Sequence, residues 1–211
     1  LFPVHRIYCV GRNYAEHAKE MGFSGREAPF FFMKPADAVL VVKDGQTGEM
    51  PYPTLTKDLH HEIELVVALG KGGKNIKAAD AVNHIFGYAV GIDMTRRDLQ
   101  AEAKKQGRPW DIAKGFDFSA PITPIVPAAQ AGDINNAAIW LDVNGAKRQS
   151  SQVTQLIWSI AETIEALSQA WELQAGDLIF SGTPEGVAAV SQGDVLEGGV
   201  AGLPALKVKL V

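Results

Sequence analysis

A single domain of many short strands and few helices is what this 211-residue sequence predicts, and three features carry that reading. Residues 60–69 and 85–93 are apolar runs with strand periodicity, residues 139–149 carry a hairpin signature, and only residues 151–172 show a long helical stripe. A hydrophobic content of 46% is enough for a substantial core. The net charge of −4 and the lack of a basic stripe argue against a nucleic-acid partner.

No apolar run approaches the ~18 residues needed to span a bilayer, so no membrane partner is expected. The start, Leu1-Phe2-Pro3-Val4-His5, lacks a charged region followed by an apolar signal core, and the absence of Met implies that the first residues of the gene product are not shown. The lone Cys9, inside Ile7-Tyr8-Cys9-Val10, reads as a small core residue and fits a reduced, cytoplasmic protein.

From the N-terminus, Asn13 with Glu16 three residues on resembles a capping box, and Gly22 suits a helix stop, which gives a two-turn helix carrying His17 and Glu20 on one face. A carboxylate there orients an imidazole and raises its basicity. Residues 1–29 form a candidate N-terminal lid segment within the one catalytic domain, 1–211. Phe30-Phe31-Phe32-Met33-Lys34-Pro35 and Ala38–Val42 read as short strands, and a buried Lys34 would need a partner. The glycines of 70–73 match neither a phosphate loop nor a dinucleotide fingerprint and read as a hairpin turn.

The stretch His60–Leu69 places Ile63, Leu65, Val67 and Leu69 on one strand face and Glu62, Glu64, Val66 and Ala68 on the other. Two carboxylates about 7 Å apart on a covered face repel by about 2 kcal/mol at an effective dielectric near 20. A bound cation, basic side chains or a shared proton would offset that. Residues 85–93 have a bulky face (Phe86, Tyr88, Val90, Ile92) and a bare one (Gly87, Ala89, Gly91) ending at Asp93, which invites close approach by a backbone or ligand. Glu62, Glu64 and Asp93, all oxygen donors, suit a hard divalent ion such as Mg²⁺ or Mn²⁺. His60 shares the glutamate face, as a fourth ligand or in an outer role.

Residues 95–107 read as a helix capped by Thr95 and stopped by Gly107, with Arg97 and Gln100 on one face. The apolar surroundings of Lys114 would make its amine easier to deprotonate. Asn144-Gly145 marks a type I′ hairpin, and Val153, Leu156, Ile157, Ile160, Ile164, Leu167 and Trp171 form the core stripe of a helix over 151–172. Thr183-Pro184 forms a tight turn whose hydroxyl and amides can face the metal site, and Leu206–Leu210 alternates as a final strand.

These motifs, taken together and in order, resemble the fumarylacetoacetate hydrolase family: Gly11-Arg12-Asn13-Tyr14 with His17 and Glu20, Phe32-Met33-Lys34-Pro35, His60-His61-Glu62-Ile63-Glu64, Asp93-Met94-Thr95 with Arg97 and Gln100, Lys114, and Ser181-Gly182-Thr183-Pro184-Glu185-Gly186. The small acylpyruvate and fumarylpyruvate hydrolase branch is the one they resemble most. The resemblance implies an α+β fold, a mixed β-sheet roll of several layers with few helices, usually a homodimer. It implies that Glu62, Glu64 and Asp93 hold Mg²⁺ or Mn²⁺ and that His17 and Glu20 are a lid-borne dyad activating water. Arg97, Gln100 and Lys114 would contact the oxalyl end or its enolate, and Thr183 a substrate carboxylate. The substrate would be a small 2,4-dioxo acid, with fumarylpyruvate favoured and Arg12, Arg26 and Arg108 as candidate contacts for its distal carboxylate. Oxaloacetate decarboxylation or keto–enol tautomerisation on the same metal site is the rival activity, and a non-catalytic cation- or metabolite-binding protein the rival class.

Overall fold

A computed structural model describes residues 2–16 and 26–211. The helix expected from residue 13, with His17 and Glu20, therefore lies largely outside the described residues. Within them the fold is α+β, built of mixed sheets with few helices.

The central sheet runs from β1 (Ile7–Gly11) and β2 (Phe30–Lys34) at one edge to β3 (Val39–Val41) at the other. Between them lie β6 (Ile63–Leu69), β7 (Ile85–Ile92), β9 (Ala120–Ile122) and β13 (Leu178–Phe180), in the order β2-β1-β13-β6-β7-β9-β3, with β10 (Val126–Pro127) paired to β7. β1 and β13 are parallel, as are β3 and β9; the other neighbours are antiparallel. A second sheet has the order β12 (Ala146–Gln152), β11 (Ala138–Val143), β15 (Val195–Val200), β16 (Leu206–Leu210), β4 (Gly48–Met50). A small third sheet joins β14 (Ala189–Val190), β5 (Leu59–His60) and β8 (Thr95–Arg96). The α-helices that lie wholly within the described residues are α1 (Arg97–Gln106), α2 (Asp111–Lys114) and α3 (Ile160–Ala170). No helix among the described residues is long and apolar enough to cross a membrane.

β6 is buried along its whole length because both of its faces are covered. Ile63, Leu65, Val67 and Leu69 join the main core with Val90, Ile92, Ile139, Leu141 and Leu196. Val66 and Ala68 join a second cluster with Ile7, Cys9, Ala89 and Phe180. The parity expected from the sequence holds, but the strand is interrupted: residues 61 and 62 belong to neither β5 nor β6, because β5 pairs in the small sheet and β6 in the central one. At the break, Ile63 N–H donates to the side-chain Oε1 of Gln149 rather than to a strand carbonyl.

The bare face of β7 is filled by backbone at Gly87 and by side chains at Gly91. A Cβ at Gly87 would fall 2.2 Å from the Val126 carbonyl oxygen, and one at Gly91 would fall 2.6 Å from Val66 Cγ2 and 2.7 Å from the Phe180 ring. The 70–73 glycines do lead between antiparallel partners, through a loop and a 3₁₀ segment over Ala78–His84 rather than a tight hairpin. Asn144 and Gly145 have φ of 52° and 76°, as the type I′ turn requires.

Three helix boundaries differ from expectation. The 151–172 stretch is α-helical only over Ile160–Ala170, because β12 continues to Gln152, Val153–Gln155 form one 3₁₀ turn, and the bend at 157–158 is held by Asn13, whose main-chain O accepts from Ile157 N–H and whose Oδ1 accepts from Trp158 N–H. Ser159 then starts α3 with a capping box to Glu162. The Asn13 side chain is committed to this bridge and to the Ser181 carbonyl instead of capping its own segment. Thr95 does not cap α1 but lies in β8; Gly107, with φ 65°, ends the helix as expected.

Candidate active site

Glu62 lies just before β6, Glu64 within it, and Asp93 just past the end of the antiparallel neighbour β7, where Asp93 N–H donates to the Glu62 carbonyl. That pairing gathers the three carboxylates, each with an oxygen within 4.8 Å of the others, and all three are buried. Basic side chains surround them. Lys114, at the end of α2, places Nζ 2.9 Å from Glu62 Oε2 and 2.6 Å from both Asp93 Oδ2 and Thr95 Oγ1. Lys34, at the end of β2, sits 2.8 Å from Asp93 Oδ1 and donates to the Met94 and Lys114 carbonyls. Arg97, at the start of α1, pairs with Glu62 and donates to Gln100 Oε1 at 2.6 Å.

Burial, with Asp93 and Glu62 beside it, pushes the Glu64 carboxyl well above its ordinary range, against the Gly182 N–H and Lys114, which favour its charged form. That N–H donates to Glu64 Oε2 at 2.7 Å, and Gly182 takes φ 104° to present it. The Lys114 ammonium corrects the expectation from its apolar neighbours. Burial does lower its pKa, but Asp93 and Glu62 outweigh burial and the net shift is upward.

Three carboxylates face three cations, so the cluster is close to formal neutrality. Its oxygen-only donor set, and a Glu64 carboxyl that burial and the neighbouring Asp93 and Glu62 hold back from ionising, fit a hard divalent cation held by Glu62, Glu64 and Asp93. His60 is not part of that group. Its Nε2 lies 2.8 Å from Asp58 Oδ1, and its Nδ1 accepts from Arg97 Nε at 3.4 Å. Cation binding should therefore stabilise the protein. At a hundred times Kd the gain is about 2.7 kcal/mol, or a Tm increase of about 5–10 °C for a domain of this size. The cation-free protein loses stability as pH rises above the ordinary carboxyl range and Glu64 is forced to ionise. A cation offsets that loss, so the Mn²⁺-induced shift in a thermal melt should be larger at pH 7.5 than at pH 5.5.

Glu62 and Glu64, with Asp93 buried behind them, face a pocket of roughly 540 Å³, within the range of small-molecule sites. Glu62, Glu64, Arg97, Gln100, Lys114 and Thr183 all line it, so the described members of the expected site converge; His17 and Glu20 lie outside the described residues. Two residues that the sequence reading did not assign to the site support it. Lys34 had a visible signal, an amine next to an aromatic run that needed a partner. Gln149, within the polar run Lys147-Arg148-Gln149-Ser150, had none, yet it is only 1% exposed. Its Oε1 accepts from Ile63 N–H and faces His61 Nδ1 at 2.9 Å, while its amide donates to Thr183 Oγ1 and the Pro184 carbonyl. Replacing Gln149 with alanine leaves several buried polar groups unpaired and should cost about 3 kcal/mol, measured as a lower urea midpoint at unchanged m-value.

Three buried carboxylates able to hold a divalent cation, three basic groups and a pocket of small-molecule size are thus brought together in an α+β fold. Residues 6–211 match the family model described as fumarylacetoacetate (FAA) hydrolase C-terminal. The fold superimposes with a TM-score of 0.97 on fumarylpyruvate hydrolase from Pseudomonas aeruginosa, solved in complex with Mn²⁺ and pyruvate, at 57% identity over 100% of this chain and 91% of that one. The mitochondrial oxaloacetate tautomerase of Mus musculus is 41% identical over 97% of this chain and 90% of its own. The mitochondrial oxaloacetate decarboxylase of Dictyostelium discoideum is 39% identical over 94% and 89%. The chain belongs to the fumarylacetoacetate hydrolase family.

Proposed function

We propose that this protein hydrolyses the carbon–carbon bond of an acylpyruvate, with fumarylpyruvate giving fumarate and pyruvate. The observation that carries this reading is the convergence of Glu62, Glu64, Lys114, Arg97, Gln100 and Thr183 on one pocket, with Asp93 buried beside the two glutamates. The 57% identity to a fumarylpyruvate hydrolase supports this acyl group. A divalent cation, Mg²⁺ or Mn²⁺, held by the three carboxylates would polarise the 2-oxo group and stabilise negative charge developing there.

Arg97 and Gln100 hold the oxalyl end of the substrate, and Thr183 holds a carboxylate oxygen through a hydroxyl that Gln149 keeps in place. His17, oriented by Glu20, takes a proton from water as the water oxygen adds to the C4 carbonyl. The C3–C4 bond then breaks, its electron pair passes to the pyruvate enolate, and fumarate departs. The Lys114 ammonium, buried beside the carboxylates, stabilises that enolate charge, and its burial strengthens the interaction. Protonation at C3 completes pyruvate. His17→Ala should lower acylpyruvate kcat by about 10²–10⁴-fold and leave cation binding intact, and unchanged hydrolysis would remove His17 from the mechanism. A homodimer in the cytoplasm completes the proposal.

The similarity to oxaloacetate tautomerase and decarboxylase supports a second reading on the same site. Enolisation or decarboxylation of oxaloacetate needs the carboxylates, Lys114 and the oxalyl contacts, but not water addition. Turnover of fumarylpyruvate and oxaloacetate measured side by side separates the two.

A further inference from the structure

Beyond the triad, the pocket changes character along its length. One wall is aromatic: Trp110 packs against Phe30 and Phe32 with ring centroids 5.0 and 5.5 Å away. Another is one face of α1, where Arg97, Gln100, Ala103 and Lys104 line the pocket at helical spacing and Gly107 and Arg108 follow at the helix end. Arg97 pairs with Glu62 at the triad end. Lys104, seven residues on, lies about 10 Å further along the axis. There Lys104 Nζ sits 5.0 Å from the Trp110 ring centroid, and Arg108 leaves the helix with its N–H held by the Ala103 carbonyl.

Among the described residues neither Lys104 nor Arg108 forms a salt bridge, while Arg26, another candidate for this role, pairs with Glu162 and stacks on Trp158, away from the pocket lining. Burial and the neighbouring Arg97, Lys114 and Arg12 all disfavour the Lys104 charge, with Glu62 opposing them, so an anion placed beside it is welcome.

We propose that Lys104 and Arg108 form a subsite for a carboxylate at the far end of the acyl chain, so that the pocket selects acylpyruvates whose acyl group is itself a carboxylic acid. The inference rests on the function proposed above and deepens it. A seven-carbon dioxo diacid has six carbon–carbon bonds of about 1.5 Å and spans about 7–8 Å when extended. With its oxalyl end at Arg97, its tail carboxylate comes within reach of the flexible Lys104 in the last turn of α1. A conjugated tail is flat and matches the aromatic wall. An acetyl group stops short of both cations, and oxaloacetate does too.

The test is binding, which does not depend on turnover. 2-Oxoheptanedioate and 2-oxoheptanoate share chain length and the 2-oxo acid end and differ only in the tail carboxylate. Calorimetric titration of both into the Mn²⁺-loaded protein should show at least about 10-fold tighter binding of the diacid. Lys104→Gln with Arg108→Gln should weaken the diacid about 30-fold and the monoacid less than about 3-fold. Both positions are exposed, so the fold should persist, and each single variant gives an intermediate value. Equal affinity of the wild type for the two ligands, or equal weakening of both by the variant, overturns the subsite. A diacid preference in a protein that cleaves no acylpyruvate keeps the subsite and removes the proposed reaction. Cleavage of acylpyruvates without that preference does the reverse.

Discussion

Asp93→Asn should reduce acylpyruvate turnover by about 10³-fold or more and abolish the Mn²⁺-induced rise in Tm. Asp93 contributes one of three carboxylates that can lie around a cation, and losing several kcal/mol of charge stabilisation corresponds to a thousandfold in rate. It is also the counter-charge for two buried ammonium groups, Lys34 at 2.8 Å and Lys114 at 2.6 Å. Asparagine keeps the shape but leaves one carboxylate fewer for these two cations, a loss of about 3 kcal/mol in the cation-free protein. The double variant Lys34→Met with Asp93→Asn should recover part of that stability without recovering activity. Urea unfolding of the three proteins, alongside Mn²⁺ titration, separates the structural share of Asp93 from its chemical share.

Lys114→Met has the second largest expected effect, and its sign differs between two quantities. The ammonium competes with a cation for Glu62 and Asp93, so its removal should tighten Mn²⁺ binding. It also supplies positive charge where the enolate develops, so kcat should fall by about 10²–10³-fold with little change in KM. Tighter Mn²⁺ with unchanged kcat would reduce Lys114 to a counter-ion of the cation-free state.

The sequence showed the carboxylate pair because strand periodicity is local: Ile63, Leu65, Val67 and Leu69 face one core and Val66 and Ala68 the other, and that parity puts Glu64 on the side where Asp93 ends its own strand. The hairpin at Asn144-Gly145 was legible for the same reason, since its turn is set by two adjacent residues. What the sequence could not show is long-range. Gln149 looks like a residue of a polar edge strand until the 181–184 turn and His61 close over it from 34 and 88 positions away. Asn13 carries a sound capping pattern, but its amide is claimed by a segment 145 residues distant, and that same bridge keeps 157–158 out of the helix whose apolar stripe extends through them. The charge state of Lys114 was misread because its neighbours in sequence are apolar and its neighbours in space are Glu62 and Asp93.

The most direct test of the account follows the dioxo chromophore of fumarylpyruvate by ultraviolet absorbance with purified protein and Mn²⁺ or Mg²⁺, with acetylpyruvate and oxaloacetate in parallel. The account predicts rapid loss of the chromophore with one fumarate and one pyruvate formed per substrate, dependence on the cation, and slower cleavage of acetylpyruvate. Persistence of both acylpyruvates, with rapid tautomerisation of oxaloacetate or release of carbon dioxide from it, would contradict the hydrolase reading and assign the same carboxylate site to enol chemistry alone.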